Sequence, residues 1–147
     1  MFCINCHAET RVANSRTMKK EPLVWRRRKC PACGTIVTTR EKPDMTTIQV
    51  KKRDRATTPF SRAKLFVSIM KSLDHSKKAA DDADAITDTV LRHIYTDIDN
   101  NSVSTETIAR AAMTVLRRFD ATAFVKYASY QSHLVSSREL KKALSDY

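Results

Sequence analysis

The sequence predicts an α+β protein in two parts: a small N-terminal β ribbon organised by a metal, then a mainly helical domain carrying a short β-hairpin. Three observations lead there. All four cysteines fall near the N-terminus as two C-x-x-C pairs. After Ser61, apolar residues recur at helical spacing in successive segments. Between these regions, Thr46 to Lys51 alternates apolar and polar residues, as a half-exposed strand does.

Composition narrows the function. With 147 residues and 41% hydrophobic content, the chain can bury one core with a small appendage beside it. A formal charge of +11 and a pI near 9.8 attract polyanions: nucleic acid first, an anionic membrane surface or phosphorylated ligands next. No run of about 18 apolar residues is present, so a membrane partner is not expected. Met1 to Cys6 has neither the basic nor the apolar region of a secretory signal, which makes the cytoplasm the expected compartment. Gly34 is the only glycine, which excludes a Walker loop or a G-x-G-x-x-G turn. A nucleotide site here must hold phosphates with side chains and helix ends.

Cys3-x-x-Cys6 and Cys30-x-x-Cys33 have the spacing of two zinc knuckles that close one tetrahedral site. Four thiolates suit one Zn²⁺ and leave no position for a reacting water, so the predicted metal is structural. Its binding would supply folding energy to a segment with few apolar residues. The alternatives are a redox pair, which would need a β-α-β surround that is absent, and an iron–sulfur site. His7 reads as a surface residue.

The run Trp25-Arg26-Arg27-Arg28-Lys29 enters the second knuckle, so the metal anchors it. In a strand, Arg26 and Arg28 fall on one face and Arg27 and Lys29 on the other. Up to Met45 the segment holds ten Lys or Arg against four acids, a net of +6. Double-stranded DNA is the expected partner, with Arg16, Arg26, Arg27, Arg28 and Lys29 as candidate contacts. Arginines can also read guanine edges in the major groove.

Pro43-Asp44-Met45 reads as a linker, giving domains at 1–45 and 46–136 and a tail helix at 137–147. Arg53 to Thr58 is a turn without the glycine that a tight hairpin prefers. Ser61 caps a helix with Leu65, Phe66, Ile69, Met70 and Leu73 as its stripe. A second helix runs from about Asp82 to Ile98, with Ile86, Val90, Leu91 and Ile94 on one face. Ser104 caps a third with Ile108, Ala112, Val115, Leu116 and Phe119. Asp120 caps a fourth with Phe124, Val125, Tyr127 and Ala128.

Val50 to Asp54 and Pro59 to Lys64 resemble the ATP-cone, the regulatory nucleotide-binding module of ribonucleotide reductases. The whole chain resembles the NrdR family, which joins a zinc ribbon to an ATP-cone and represses ribonucleotide reductase genes. Further matches are Ser15-Arg16, the basic run into Cys30-Pro31-Ala32-Cys33-Gly34, Thr38-Thr39 with Glu41, and Phe124 to Ser129. The resemblance implies a homo-oligomer that senses ATP and dATP through Val50, Lys52, Arg53, Asp54, Phe60, Lys64, Tyr127 and Tyr130. The chemistry agrees: Lys52, Arg53 and Lys64 supply three cations, and Lys64 lies one turn into a helix whose free N–H groups favour phosphate. The chain departs from the family at Arg55, where a glycine is usual, and at Thr58, where Glu is common. Its second aromatic has moved by one position to Tyr130, and Asn14 stands in place of Asp.

The expected mechanism is a repressor whose nucleotide sets the oligomer and hence the spacing of paired ribbons on an operator. One alternative is an RNA- or ribosome-associated zinc-ribbon protein without nucleotide sensing. Another is a free-standing allosteric subunit of a reductase. An enzyme is the least expected, because no catalytic constellation is visible and His7, His75, His93 and His133 have no common partner.

Overall fold

The computed structural model describes residues 1–18, 22–131, 136–138 and 141. Lys19, Lys20, His133 and most of the expected tail helix lie outside the described residues. The chain divides into two compact units, Met1–Asp44 and Met45–Tyr147.

The first unit is a three-stranded antiparallel meander of β1 (Arg11–Thr17), β2 (Val24–Lys29) and β3 (Ile36–Glu41). Among the described residues, its buried apolar side chains are Cys3, Leu23 and Cys30, with Thr10 beside them. They make no core of ordinary size, as expected of a segment with so few apolar residues.

The second unit opens with a 3₁₀ turn at Met45–Thr47, followed by β4 (Gln49–Lys51) and β5 (Thr57–Pro59). The strand predicted from Thr46 is therefore shorter, because Ile48 N–H bonds back to the Met45 carbonyl at 3.0 Å. The helices are α1 (Arg62–Ser72), α2 (Ala79–Ile94), α3 (Thr105–Phe119) and α4 (Ala121–Tyr130). Helix α2 begins three residues before the predicted start and gives way to a 3₁₀ turn at Tyr95–Asp97. The caps lie where the sequence predicts. Ser61 accepts from Lys64 N–H at 3.3 Å, Ser104 from Thr107 N–H at 3.0 Å and Asp120 from Ala123 N–H at 2.8 Å.

One core joins the four helices. Ile69, Leu73, Val90, Ile94 and Leu116 are fully buried in it, with Phe60 and Tyr127 nearly so. Phe119 departs from its predicted stripe and is 51% exposed, at the last turn of α3. Sequence reading also misses β6 (Ser102–Ser104), which pairs parallel with β4 and brings Val103 opposite Val50. The sheet order is β5-β4-β6. Asn100 and Asn101, both at positive φ, make the turn into β6, a conformation that asparagine tolerates better than most residues.

The β4–β5 hairpin closes through Lys52 N–H to Ala56 carbonyl at 2.9 Å and Arg55 N–H to Lys52 carbonyl at 3.1 Å. Arg55 has φ +65, the left-handed conformation that such a short loop requires. A side chain there costs about 1 kcal/mol relative to glycine. Arg55→Gly is therefore expected to stabilise the chain by about 1 kcal/mol, read as a higher urea midpoint of the helical unit with an unchanged slope.

Candidate functional sites: the cysteine cluster, the basic face and the hairpin–helix cleft

The two cysteine knuckles are built alike. Cys3 N–H bonds to the Ala8 carbonyl at 2.8 Å, and Cys30 N–H to the Thr35 carbonyl at 2.9 Å. His7 N–H returns to the Cys3 carbonyl and Gly34 N–H to the Cys30 carbonyl, each at 3.0 Å. His7 (φ 58) and Gly34 (φ 75) occupy the same left-handed position of their turns, which is what the backbone asks of His7.

The four sulfurs lie within 4.8 Å of one another, with Cys3 to Cys33 at 3.6 Å and Cys6 to Cys30 at 3.5 Å. A tetrahedron with Zn–S bonds of about 2.3 Å has edges of about 3.8 Å, so the donor set fits zinc. The Thr35 hydroxyl, 3.1 Å from Cys33 Sγ, and the Thr35 N–H bring the Cys33 thiol down to about 6. The Ala8 N–H acts to lower Cys6, but the Cys33 and Cys30 sulfurs outweigh it and push that thiol up to about 12. Four sulfurs this close repel as anions, and a central dication relieves that repulsion.

The strand register sorts the cations beyond β2. Trp25 pairs with Arg16 and Arg40, Arg27 with Asn14 and Thr38, and Lys29 with Arg11 and Ile36. Paired residues share a face, so Arg11, Arg16, Arg27, Lys29 and Arg40 line one side of the sheet, all exposed. Among the described residues, no acid pairs on that side. A bulge between Val12 and Asn14 makes this possible: Arg11 and Arg16 are five residues apart and would otherwise point to opposite faces. Arg26 and Arg28 lie on the other face, where Arg26 forms an ion pair with Glu41. The candidate set Arg16, Arg26, Arg27, Arg28 and Lys29 is thus split, and Arg11 and Arg40 join the larger half.

In the second unit, the hairpin, α1, α3 and α4 enclose a cleft of about 600 Å³. Seven of the eight residues that the resemblance assigns to nucleotide line it: Val50, Lys52, Arg53 and Asp54 from the hairpin, then Phe60, Lys64 and Tyr127. Tyr130 does not. It is 61% exposed and lines a neighbouring groove with Val67 and Lys71. Gln131 lines the cleft instead, one turn beyond Tyr127 on the same side of α4. That i, i+4 relation is the signal by which sequence reading could have found it.

Lys64 and Ser61 bring the N-terminal end of α1 to the cleft, and Ser68, Thr105 and Ile108 continue its walls. Burial pushes the Tyr127 phenol up, while its hydrogen bond with Ser68 acts in the opposite direction. Just beyond the C-terminal end of α1, Asp74 pairs with Lys126 of α4, and His75 Nε2 lies 3.0 Å from Asp120, the N-cap of α4. These interactions set the C-terminal end of α1 against the start of α4, so the helices run antiparallel and Gln131 comes back toward the start of α1.

Both units match known domain families. Residues 1–41 match the N-terminal domain of transcriptional repressor NrdR-like proteins, and residues 48–135 match the ATP cone domain. The chain belongs to the NrdR family. It is 32% identical over 146 residues to the transcriptional repressor NrdR of Parafrankia sp. (strain EAN1pec), covering 99% of this chain and 76% of that one. With the NrdR of Symbiobacterium thermophilum it shares 31% over 144 residues, covering 98% and 95%. With that of Paraburkholderia phytofirmans it shares 30% over 148 residues, covering 100% and 92%. These NrdR relatives are named as repressors, not as enzymes. Among the described residues no helix is long and apolar enough to cross a membrane.

Proposed function

We propose that this chain is a cytoplasmic, non-catalytic repressor of ribonucleotide reductase genes, switched by ATP and dATP. The observation that carries the reading is the cleft. Lys52, Arg53 and Lys64 converge there with the α1 N-terminus, in a chain that has no glycine-rich loop to cradle phosphate. Its volume of about 600 Å³ lies within the usual range for ligands of nucleotide size.

Three parts have separate tasks. Cys3, Cys6, Cys30 and Cys33 would hold one structural Zn²⁺, which fixes both knuckles and stiffens the sheet between them. Arg11, Arg16, Arg27, Lys29 and Arg40 meet the phosphates of double-stranded operator DNA, with Trp25 beside them. Lys52, Arg53 and Lys64 hold the triphosphate, while Val50 and the apolar wall of Ile108 and Leu65 accommodate the base. A nucleotide shifts the assembly only by binding one oligomer more tightly than another. Helices α1, α3 and α4 form the cleft, so nucleotide binding acts on surfaces that another copy of the chain can meet. Shifted assembly then sets how two ribbons fit paired operator half-sites.

The test is the mass of the zinc-loaded chain by light scattering with no nucleotide, ATP or dATP. The mass is expected to change with nucleotide. Lys64→Ala is expected to weaken nucleotide binding roughly 10- to 100-fold and to need correspondingly more nucleotide for the same change. A wild-type mass indifferent to both nucleotides, at concentrations shown to bind, contradicts the proposal.

A further inference from the structure

We infer that the cleft takes its nucleoside triphosphate as the free polyanion, with Lys52, Arg53 and Lys64 doing the charge neutralisation that a bridging Mg²⁺ performs elsewhere. This rests on the cleft reading above and deepens it by naming the ligand's charge state.

A Mg²⁺ that accompanies a triphosphate is usually held by one or two protein carboxylates in addition to phosphate oxygens. The cleft is poor in them. Among the described residues, Asp54 is the only acid on its lining, and Asp54 Oδ1 accepts the Ala56 N–H at 3.0 Å, holding the hairpin tip. Glu106, on the first turn of α3, lies outside the lining. Its own backbone N–H first, then the Ser104 and Thr105 hydroxyls and the Arg53 charge, keep that carboxyl below its usual range. Thr58 and Thr105 offer the cleft hydroxyls without charge. Among the described residues, the only group of three or more His, Cys, Asp or Glu placed to share an ion is the cysteine cluster.

The cations point the same way. Lys52, Arg53 and Lys64 are all exposed in the cleft, and against the single acid they leave its lining at +2. Free ATP carries about −4 and its magnesium complex about −2, so a cleft of positive potential holds the free form more strongly. A dication entering beside three cations meets repulsion, which Asp54, the one carboxylate on the described lining and already holding the hairpin tip through Oδ1, offsets only in part.

The experiment titrates the full-length, zinc-loaded chain with ATP by calorimetry. One buffer is stripped of divalent cations by a chelating resin before the protein is added, and the other holds excess Mg²⁺ at matched ionic strength. Affinity is expected to be about tenfold higher without Mg²⁺. Thr58→Glu places a carboxylate on the cleft wall and is expected to reverse the preference, while Thr58→Gln keeps it. Wild-type affinity that rises with Mg²⁺, or is the same in both buffers, overturns the inference with the cleft reading intact. No ATP binding in either buffer overturns both. The wild-type comparison decides even if Thr58→Glu does not fold.

Discussion

Cys30→Ser is expected to unfold the N-terminal unit and abolish DNA binding, while the helical unit stays folded and still binds ATP. The reason is the imbalance between metal and core in the first unit. Among its described residues, Leu23 is the only buried large aliphatic side chain, and burying such a residue contributes about 1.5–3 kcal/mol. A structural zinc site contributes about 10–16 kcal/mol of apparent binding free energy. Cys30 is fully buried among the cysteine sulfurs, so a serine there would remove one of the four thiolates that hold the metal. The second unit has its own core, from Met45 to Ala128, and needs none of this. Zinc content by native mass spectrometry and amide spectra of both units check the outcome. A folded ribbon without metal would remove the structural role given to the cysteines.

The second large effect separates the two faces of the ribbon. Replacing Arg27 and Lys29 together by alanine is expected to weaken operator binding at every sequence. It should also lower the salt slope by about two, one for each phosphate no longer neutralised. Replacing Arg26 and Arg28 is expected to leave the slope unchanged, because they face away and Arg26 is held by Glu41. Each double variant removes two positive charges, so net charge alone predicts equal effects. Fluorescence anisotropy over a salt series distinguishes them. Equal slopes for the two double variants would mean that the register does not select the DNA face.

Much of this architecture was legible in the sequence, for identifiable reasons. Cysteine spacing marks the metal cluster because ligand geometry constrains short turns. Ser61, Ser104 and Asp120 mark helix starts because each has an oxygen positioned to accept an N–H two or three residues on. The stripes on α1 and α2 follow from period alone. What the sequence concealed depends on long-range pairing or on local strain. Strand β6 has one apolar residue, Val103, and exists because it pairs with Val50 more than fifty residues earlier. The alternation of Arg26, Arg27, Arg28 and Lys29 was readable, but the bulge after Val12 that aligns Arg11 with Arg16 was not. Arg55 enters the left-handed region although glycine would suit it better, because the hairpin bonds around it require that shape.

The nucleotide candidates divide along the same line. Lys52, Arg53 and Lys64 reach the cleft together because a tight hairpin and the first turn of α1 are neighbours in sequence. Tyr130 misses it, since a step of one residue rotates a helical side chain by about 100°. Gln131 takes the inward position.

The most direct test of nucleotide-switched repression titrates zinc-loaded chain onto duplex DNA from its own reductase promoters with no nucleotide, ATP or dATP, at fixed salt. A scrambled duplex and a single-stranded RNA serve as controls. Promoter-selective binding that changes with nucleotide, and that loses this dependence in Lys64→Ala, is the predicted result. Equal affinity for all three polyanions, indifferent to nucleotide, would contradict it and favour an RNA-associated zinc ribbon.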